Sequence, residues 1–142
     1  MPRPRTPALT VDVVIELTDR SERPIVLIRR DRPPAGHAFP GGFVDVGETV
    51  EHAAMREAKE ETGLNVRLEA LLGVYSDPAR DPRGHAVSIV YLASANGEPK
   101  AGDDAGAVLV TDPAAAPPLV FDHDRMLADY LARRRTGVKS AR

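Results

Sequence analysis

Three glutamates, Glu57, Glu60 and Glu61, constrain this chain more than any other feature, because a helix places all of them on one face. They sit in a run that begins Gly42-Phe43-Val44-Asp45-Val46-Gly47-Glu48, continues through seven residues to Met55, and closes as Arg56-Glu57-Ala58-Lys59-Glu60-Glu61-Thr62-Gly63-Leu64. At about 100° per residue, positions three and four apart share a helical face. Like charges at that spacing cost roughly 0.2–0.5 kcal/mol per pair, and Lys59 points elsewhere on the wheel. A hard divalent cation such as Mg²⁺, which takes oxygen ligands, turns the repulsion into attraction, so the face reads as a metal site. An ordinary solvated acidic helix explains any two of these glutamates, but not the whole pattern.

The flanks agree with a helix of roughly three and a half turns, with Thr49 as N-cap and Gly63 just past the C-terminus. Ala53, Ala54 and Ala58 favour helix and permit close packing on a sheet. Phe39-Pro40-Gly41-Gly42 and Val46-Gly47-Glu48 read as loops able to approach a ligand closely.

Elsewhere, strand and helix patterns alternate. Val11, Val13, Ile15 and Leu17 alternate with Asp12, Val14 and Glu16, which predicts a strand. Ile25 to Ile28 is a second, Val66 to Tyr75 a third and Ala86 to Ala95 a fourth, the last ending at the turn signal Asn96-Gly97. Val108 to Val110 is a short strand, and Ala114 to Pro118 a short linker inside the domain. Asp122 is placed to cap a final helix whose Met126, Leu127, Tyr130 and Leu131 form an apolar stripe. This order predicts the α/β class, with a mixed sheet between helices. We expect a flexible arm over residues 1–7, one domain over 8–136 and a short tail over 137–142.

At 142 residues the chain is long enough for one domain with a real core. No apolar run approaches the ~20 residues of a membrane span, and Asp12 and Glu16 interrupt the nearest candidate for a signal peptide. The absence of cysteine excludes disulfides and thiolate chemistry and agrees with a cytoplasmic location. A net charge of −2, no tryptophan and few aromatics give no argument for nucleic-acid binding. His37, His52, His85 and His123 offer no zinc-like spacing.

The run from Gly42 to Leu64 resembles the signature of the Nudix hydrolases: Gly42, five residues, Glu48, seven residues, then Arg56, Glu57, Glu60, Glu61, Gly63 and Leu64, with Ala58 where a larger aliphatic residue is usual. The resemblance implies an α/β/α sandwich that hydrolyses a nucleoside diphosphate linked to another group. It implies Mg²⁺ as cofactor, with Mn²⁺ as a substitute, held by Glu57, Glu60, Glu61 and the backbone carbonyl of Gly42. Arg56 and Glu48 then form a charge pair that orients loop and helix. The family commonly draws a catalytic base from a later loop, here Gly102-Asp103-Asp104-Ala105. ADP-ribose-cleaving members carry an acidic residue slightly further on, followed by a bulky aromatic, whereas this chain has Gly106-Ala107-Val108. Asp103 or Asp104 as base, both as exposed turn residues, and Glu57 or Glu60 as base all stay open.

The segment from Ser76 to His85, with Asp103-Asp104 and Phe121-Asp122-His123, resembles ADP-ribose pyrophosphatases, and the likeness runs from Ala8 to Leu131. It implies ADP-ribose as substrate, with AMP and ribose 5-phosphate as products, and a homodimer. Arginine suits diphosphate because it offers a planar fork of donors. Arg29, Arg30, Arg80 and Arg83 are therefore candidate substrate contacts, with Phe43 and His85 beside them. Competing readings pair Arg80 with Asp81, leave Arg29 or Arg30 as strand flanks and give His85 a structural hydrogen bond. Two other functions are consistent with the same residues: hydrolysis of oxidised nucleoside triphosphates, and noncatalytic sensing of ADP-ribose, against which the intact signature argues.

Overall fold

The computed structural model describes residues 2–102 and 105–136, so Asp103 and Asp104 lie outside the described residues. The elements are β1 (Ala8–Leu17), β2 (Ile25–Arg30), β3 (Gly36–Ala38), β4 (Gly41–Phe43), α1 (Val50–Thr62), β5 (Arg67–Tyr75), β6 (Ala86–Ala95), β7 (Ala107–Thr111), a 3-10 turn at Pro113–Ala115, and α2 (His123–Thr136).

β1 organises the molecule. It runs parallel to β6 along its whole length, and the sheet order is β3-β2-β1-β6-β5. On its other edge β1 is shared antiparallel between two partners: β4 takes Thr10 to Asp12, and β2 takes Ile15 and Glu16. β7 pairs with β2. The sheet is mixed, as the sequence predicts.

The alternation in β1 divides the core. Val11, Val13, Ile15 and Leu17 pack against Ala53, Ala54 and Ala58 of α1. Val14, on the opposite face, joins Ile25, Leu27, Phe39 and Val90 beneath Met126 and Tyr130 of α2. One helix therefore covers each face, which makes a sandwich and leaves both faces of the central strand apolar. Alanines on α1 let the helix sit close to the sheet. Thr49 accepts the His52 N–H at 3.1 Å, and Gly63, at φ 75°, donates its N–H to the Lys59 carbonyl, so both predicted caps are present.

Two charged residues interrupt the α2-facing side of β1, Asp12 and Glu16, each 8% exposed. Glu16 accepts the Tyr130 hydroxyl and an Arg23 guanidinium N–H at 3.2 Å, and Arg134 bonds the same hydroxyl. This cluster fastens α2 to the sheet. Tyr130→Phe leaves the buried carboxylate short of a donor, and is expected to lower unfolding free energy by about 1–3 kcal/mol in urea titrations.

The sequence reading needs four corrections. β4 takes in Gly41 and Gly42, which read as loop in the sequence, and β3 is an added strand for which the sequence carries no pattern. β1 begins at Ala8 and β2 runs on to Arg30, beyond the expected edges. The linker at Ala114 includes the 3-10 turn, capped by Asp112. Asp122 stands before α2, but its carboxylate is taken by Arg80.

Candidate active site

Where β4 lies between β1 and α1, a cleft of about 370 Å³ opens, within the size range of small-molecule sites. Its lining brings together the carboxylates of Asp12, Asp45, Glu57, Glu61 and Asp81 and the guanidinium groups of Arg30, Arg32, Arg80 and Arg83, which we group as a carboxylate wall around Glu57 and Glu61 and an arginine wall around Arg30 and Arg83. Phe39, Phe43 and Phe121 line it between them.

Glu57 and Glu61 stand one helical turn apart and both line the cleft. Gly41 donates its N–H to Glu61 at 2.8 Å. A Cβ on Gly42 would fall onto the Glu57 carboxylate, so glycine is what lets this backbone lie against that side chain. Burial pushes the Glu61 carboxyl up to about 8, the Gly41 N–H opposes this, and the charges of Glu57 and Asp12 raise it further. Burial also raises Glu57, against the hydrogen bond and charge of Arg56. Two crowded carboxylates and the adjoining Gly42 backbone are hard oxygen donors whose repulsion a divalent cation relieves, so the donor set fits Mg²⁺ or Mn²⁺.

Glu60 does not line the cleft. Its side chain is 57% exposed and lies 3.2 Å from Arg56. Among the described residues, no three acidic or histidine side chains form a ready-made cation site. One Glu60 oxygen accepts from the same Arg56 nitrogen that Glu57 does.

Arg56 is the hub of this wall. It donates to Glu48 at 2.6 and 2.8 Å, to Glu57 at 3.0 Å and to the Phe43 carbonyl at 3.0 Å. Its hydrogen bonds hold the Glu48 carboxyl well below the usual range. Glu48 also accepts the Asp45 N–H at 3.0 Å and bonds His52 at 2.7 Å, which ties down the loop before α1. Glu48 lies outside the cleft lining.

On the arginine wall, Arg80 forms two bonds to Asp122, at 2.9 and 2.8 Å, and reaches the Ala86 carbonyl. Its guanidinium is already committed, and its partner is Asp122, not Asp81. Asp81 instead takes Arg83, at 3.1 and 2.9 Å. The Arg30 and Arg83 guanidinium carbons lie 5.1 and 5.2 Å from the Phe121 ring centre, within cation–π range. Burial lowers the Arg30 pKa, and the charges of Arg83 and Arg32 lower it further, so this end holds positive charge suited to an anion.

Arg29 and His85 lie outside the cleft lining. Strand alternation sends Ile28 and Arg30 of β2 to the cleft and Arg29 away from it, and Arg32, beyond the strand, also lines it. His85 bonds the Ser76 carbonyl at 3.0 Å, the structural alternative. Phe43 does line the cleft and is 54% exposed. The sequence reading missed Asp12, Arg32 and Phe121 as lining residues. Asp12 had a visible signal, a carboxylate that with Glu16 interrupts the apolar α2-facing side of a central strand. Among the described residues, no helix is long and apolar enough to cross a membrane.

Protons and cations compete for this wall. Mn²⁺ affinity is expected to rise between about pH 6 and pH 8, with protons released on binding, as calorimetry in buffers of different ionisation enthalpy would show. The metal-free fold moves the other way. Glu61 is raised from 4.5 to about 8 on folding, so the folded state holds the extra proton. Its contribution to stability therefore falls as pH rises across that window, and the urea midpoint in chelator should fall with it.

The NUDIX domain family matches residues 6–130. The chain is 49% identical over 128 residues to the ADP-ribose pyrophosphatase of Methanocaldococcus jannaschii, a match covering 88% of this chain and 73% of that one. It is 29% identical over 136 residues to the ADPR responsive transcriptional repressor NtrR of Acinetobacter baylyi, covering 90% of this chain but about half, 54%, of the relative. The solved NUDIX domain of Shewanella oneidensis NrtR, complexed with ADP ribose, superposes with a TM-score of 0.79 at 26% identity, covering 93% of this chain and 90% of that one. The mixed sheet between two helices is thus the architecture of solved Nudix domains.

Proposed function

We propose, starting from the fact that this chain belongs to the Nudix family of hydrolases, that it cleaves ADP-ribose to AMP and ribose 5-phosphate with Mg²⁺, or Mn²⁺ in its place. The observation that carries this reading is one cleft that joins a carboxylate wall suited to a cation with an arginine and aromatic wall. A diphosphate between two riboses needs charge neutralisation at its centre and polar contacts on its flanks. The Methanocaldococcus enzyme and the ADP-ribose-bound Shewanella domain support the choice of substrate.

Glu57, Glu61 and the Gly42 carbonyl would hold the cation, with Glu60 recruited from Arg56. The bound cation would supply Lewis acidity at the diphosphate and activate water. Arg56 holds Glu57 and the loop through Glu48 in fixed relation, and Arg30 and Arg83 steady the diphosphate. Water adds across one P–O bond: its oxygen stays on one phosphate and the bridging oxygen leaves with the other. We place the carboxylate that takes the water's proton among Asp103, Asp104, Glu57 and Glu60. The same reading puts the activity in residues 8–136, in the cytoplasm, with a nucleotide rather than nucleic acid or membrane as partner, and with the chain paired as a homodimer.

A second reading, ADP-ribose sensing without turnover, is favoured by the likeness to the Acinetobacter repressor. Chromatography of ADP-ribose incubated with the protein and Mg²⁺ separates the two. Equal yields of AMP and ribose 5-phosphate, abolished by chelator, are expected. Binding without products would favour the sensor, and neither binding nor turnover would overturn both.

A further inference from the structure

At the buried end of the cleft lining, beside Asp12, lies a polar group that the Nudix signature does not contain. His123 opens α2 and is 3% exposed. Its Nδ1 accepts the N–H of Phe39 at 3.0 Å. Burial pushes the ring down to about 3, so it is neutral and carries its proton on Nε2. Nε2 lies 3.6 Å from Asp12 Oδ1, and Asp12 Oδ2 accepts the Ser88 hydroxyl at 2.5 Å.

These contacts converge on the segment that leads into the cation site. Phe39 is held by His123, and the Pro40 carbonyl accepts the Val13 N–H at 2.9 Å. Gly41 faces Asp12 in the β1–β4 register, so closely that a Cβ there would meet the Val11 carbonyl and the Asp12 carboxylate. The next groups along the chain are the Gly41 N–H, which holds Glu61, and the Gly42 backbone, which lies against Glu57. A shift at Phe39 therefore displaces both carboxylates' supports.

We infer that His123, together with Asp12, is a positioning residue that fixes the Phe39–Gly42 segment and thereby sets cation affinity at Glu57 and Glu61. The inference rests on the metal reading of the proposed function. The competing role is packing alone, since the His123 ring lies 5.6 Å from Phe39 and 5.4 Å from Phe121. Two substitutions separate them: His123→Phe keeps a ring but loses the acceptor, and His123→Asn keeps an acceptor near Nδ1 but loses the ring.

Mn²⁺ dissociation constants from the electron paramagnetic resonance of free Mn²⁺, with no substrate present, give the test. His123→Phe should weaken Mn²⁺ binding by about 10- to 100-fold, the usual cost of losing such a support, and His123→Asn should recover most of it. At saturating Mn²⁺ the KM for ADP-ribose should change far less than the Mn²⁺ constant. Wild-type affinity in His123→Phe, or an equal loss in both variants, would overturn the inference while leaving the function standing. Should His123→Phe fail to fold, Ser88→Ala, which releases Asp12, is expected to weaken Mn²⁺ several-fold, and unchanged affinity would overturn the inference. A wild-type protein that binds no Mn²⁺ would overturn the metal reading itself.

Discussion

Glu57→Gln and Glu61→Gln are each expected to lower kcat on ADP-ribose by about three orders of magnitude at saturating Mg²⁺, the rate equivalent of several kcal/mol of transition-state stabilisation. An amide keeps the shape of the side chain but removes the charge that holds a cation. Both residues line the cleft, and both carboxyls are raised by burial. Glu60→Gln should cost less than either, because its side chain is largely exposed and engaged by Arg56. Glu61→Gln should leave the metal-free fold about as stable, because that carboxyl is held protonated there, so circular dichroism and urea midpoints separate lost catalysis from lost structure. Near-wild-type turnover in both variants would mean that the cation, if any, is held elsewhere.

The second large effect belongs to the arginine wall. Arg30→Ala and Arg83→Ala are each expected to raise KM for ADP-ribose by about 10- to 100-fold, the worth of one charge-assisted hydrogen bond, with kcat changed much less. That pattern is the mark of contacts present before the transition state. The two arginines share the Phe121 ring, so the double variant should fall short of the product of the singles. Arg29→Ala is the internal control: its neighbour on the same strand reaches the cleft and it does not, so steady-state kinetics should show almost no change. A loss of kcat at unchanged KM in Arg83→Ala would place that residue in the chemical step instead.

What could be read from the sequence follows the range of the interactions. The helix α1 was legible with both ends because capping is local: Thr49 and Gly63 bond residues three and four positions away. Spacing alone also brought the three glutamates to one side of that helix. It could not show that Arg56 draws Glu60 away, which depends on side-chain choices among four acidic partners. β1 and β6 were legible from their apolar patterns. β3 and β4 were not, since three residues are too few for a period and they exist only by pairing with β2 and β1. Arg80 with Asp122 and Asp12 with Ser88 join positions 42 and 76 apart, and only the finished fold reveals them. Asp81 misled the pairing of Arg80 by its adjacency, because neighbours in sequence need not face one another.

Substrate choice is read from kcat/KM measured side by side for ADP-ribose and for an oxidised deoxynucleoside triphosphate, each with Mg²⁺ and at one pH. The Arg30–Phe121–Arg83 wall beside Glu57 and Glu61 leads us to expect ADP-ribose to lead by about a hundredfold or more, a margin that a few matched polar contacts supply, with AMP and ribose 5-phosphate as products. An oxidised triphosphate ahead by a comparable margin, releasing diphosphate, would contradict the account.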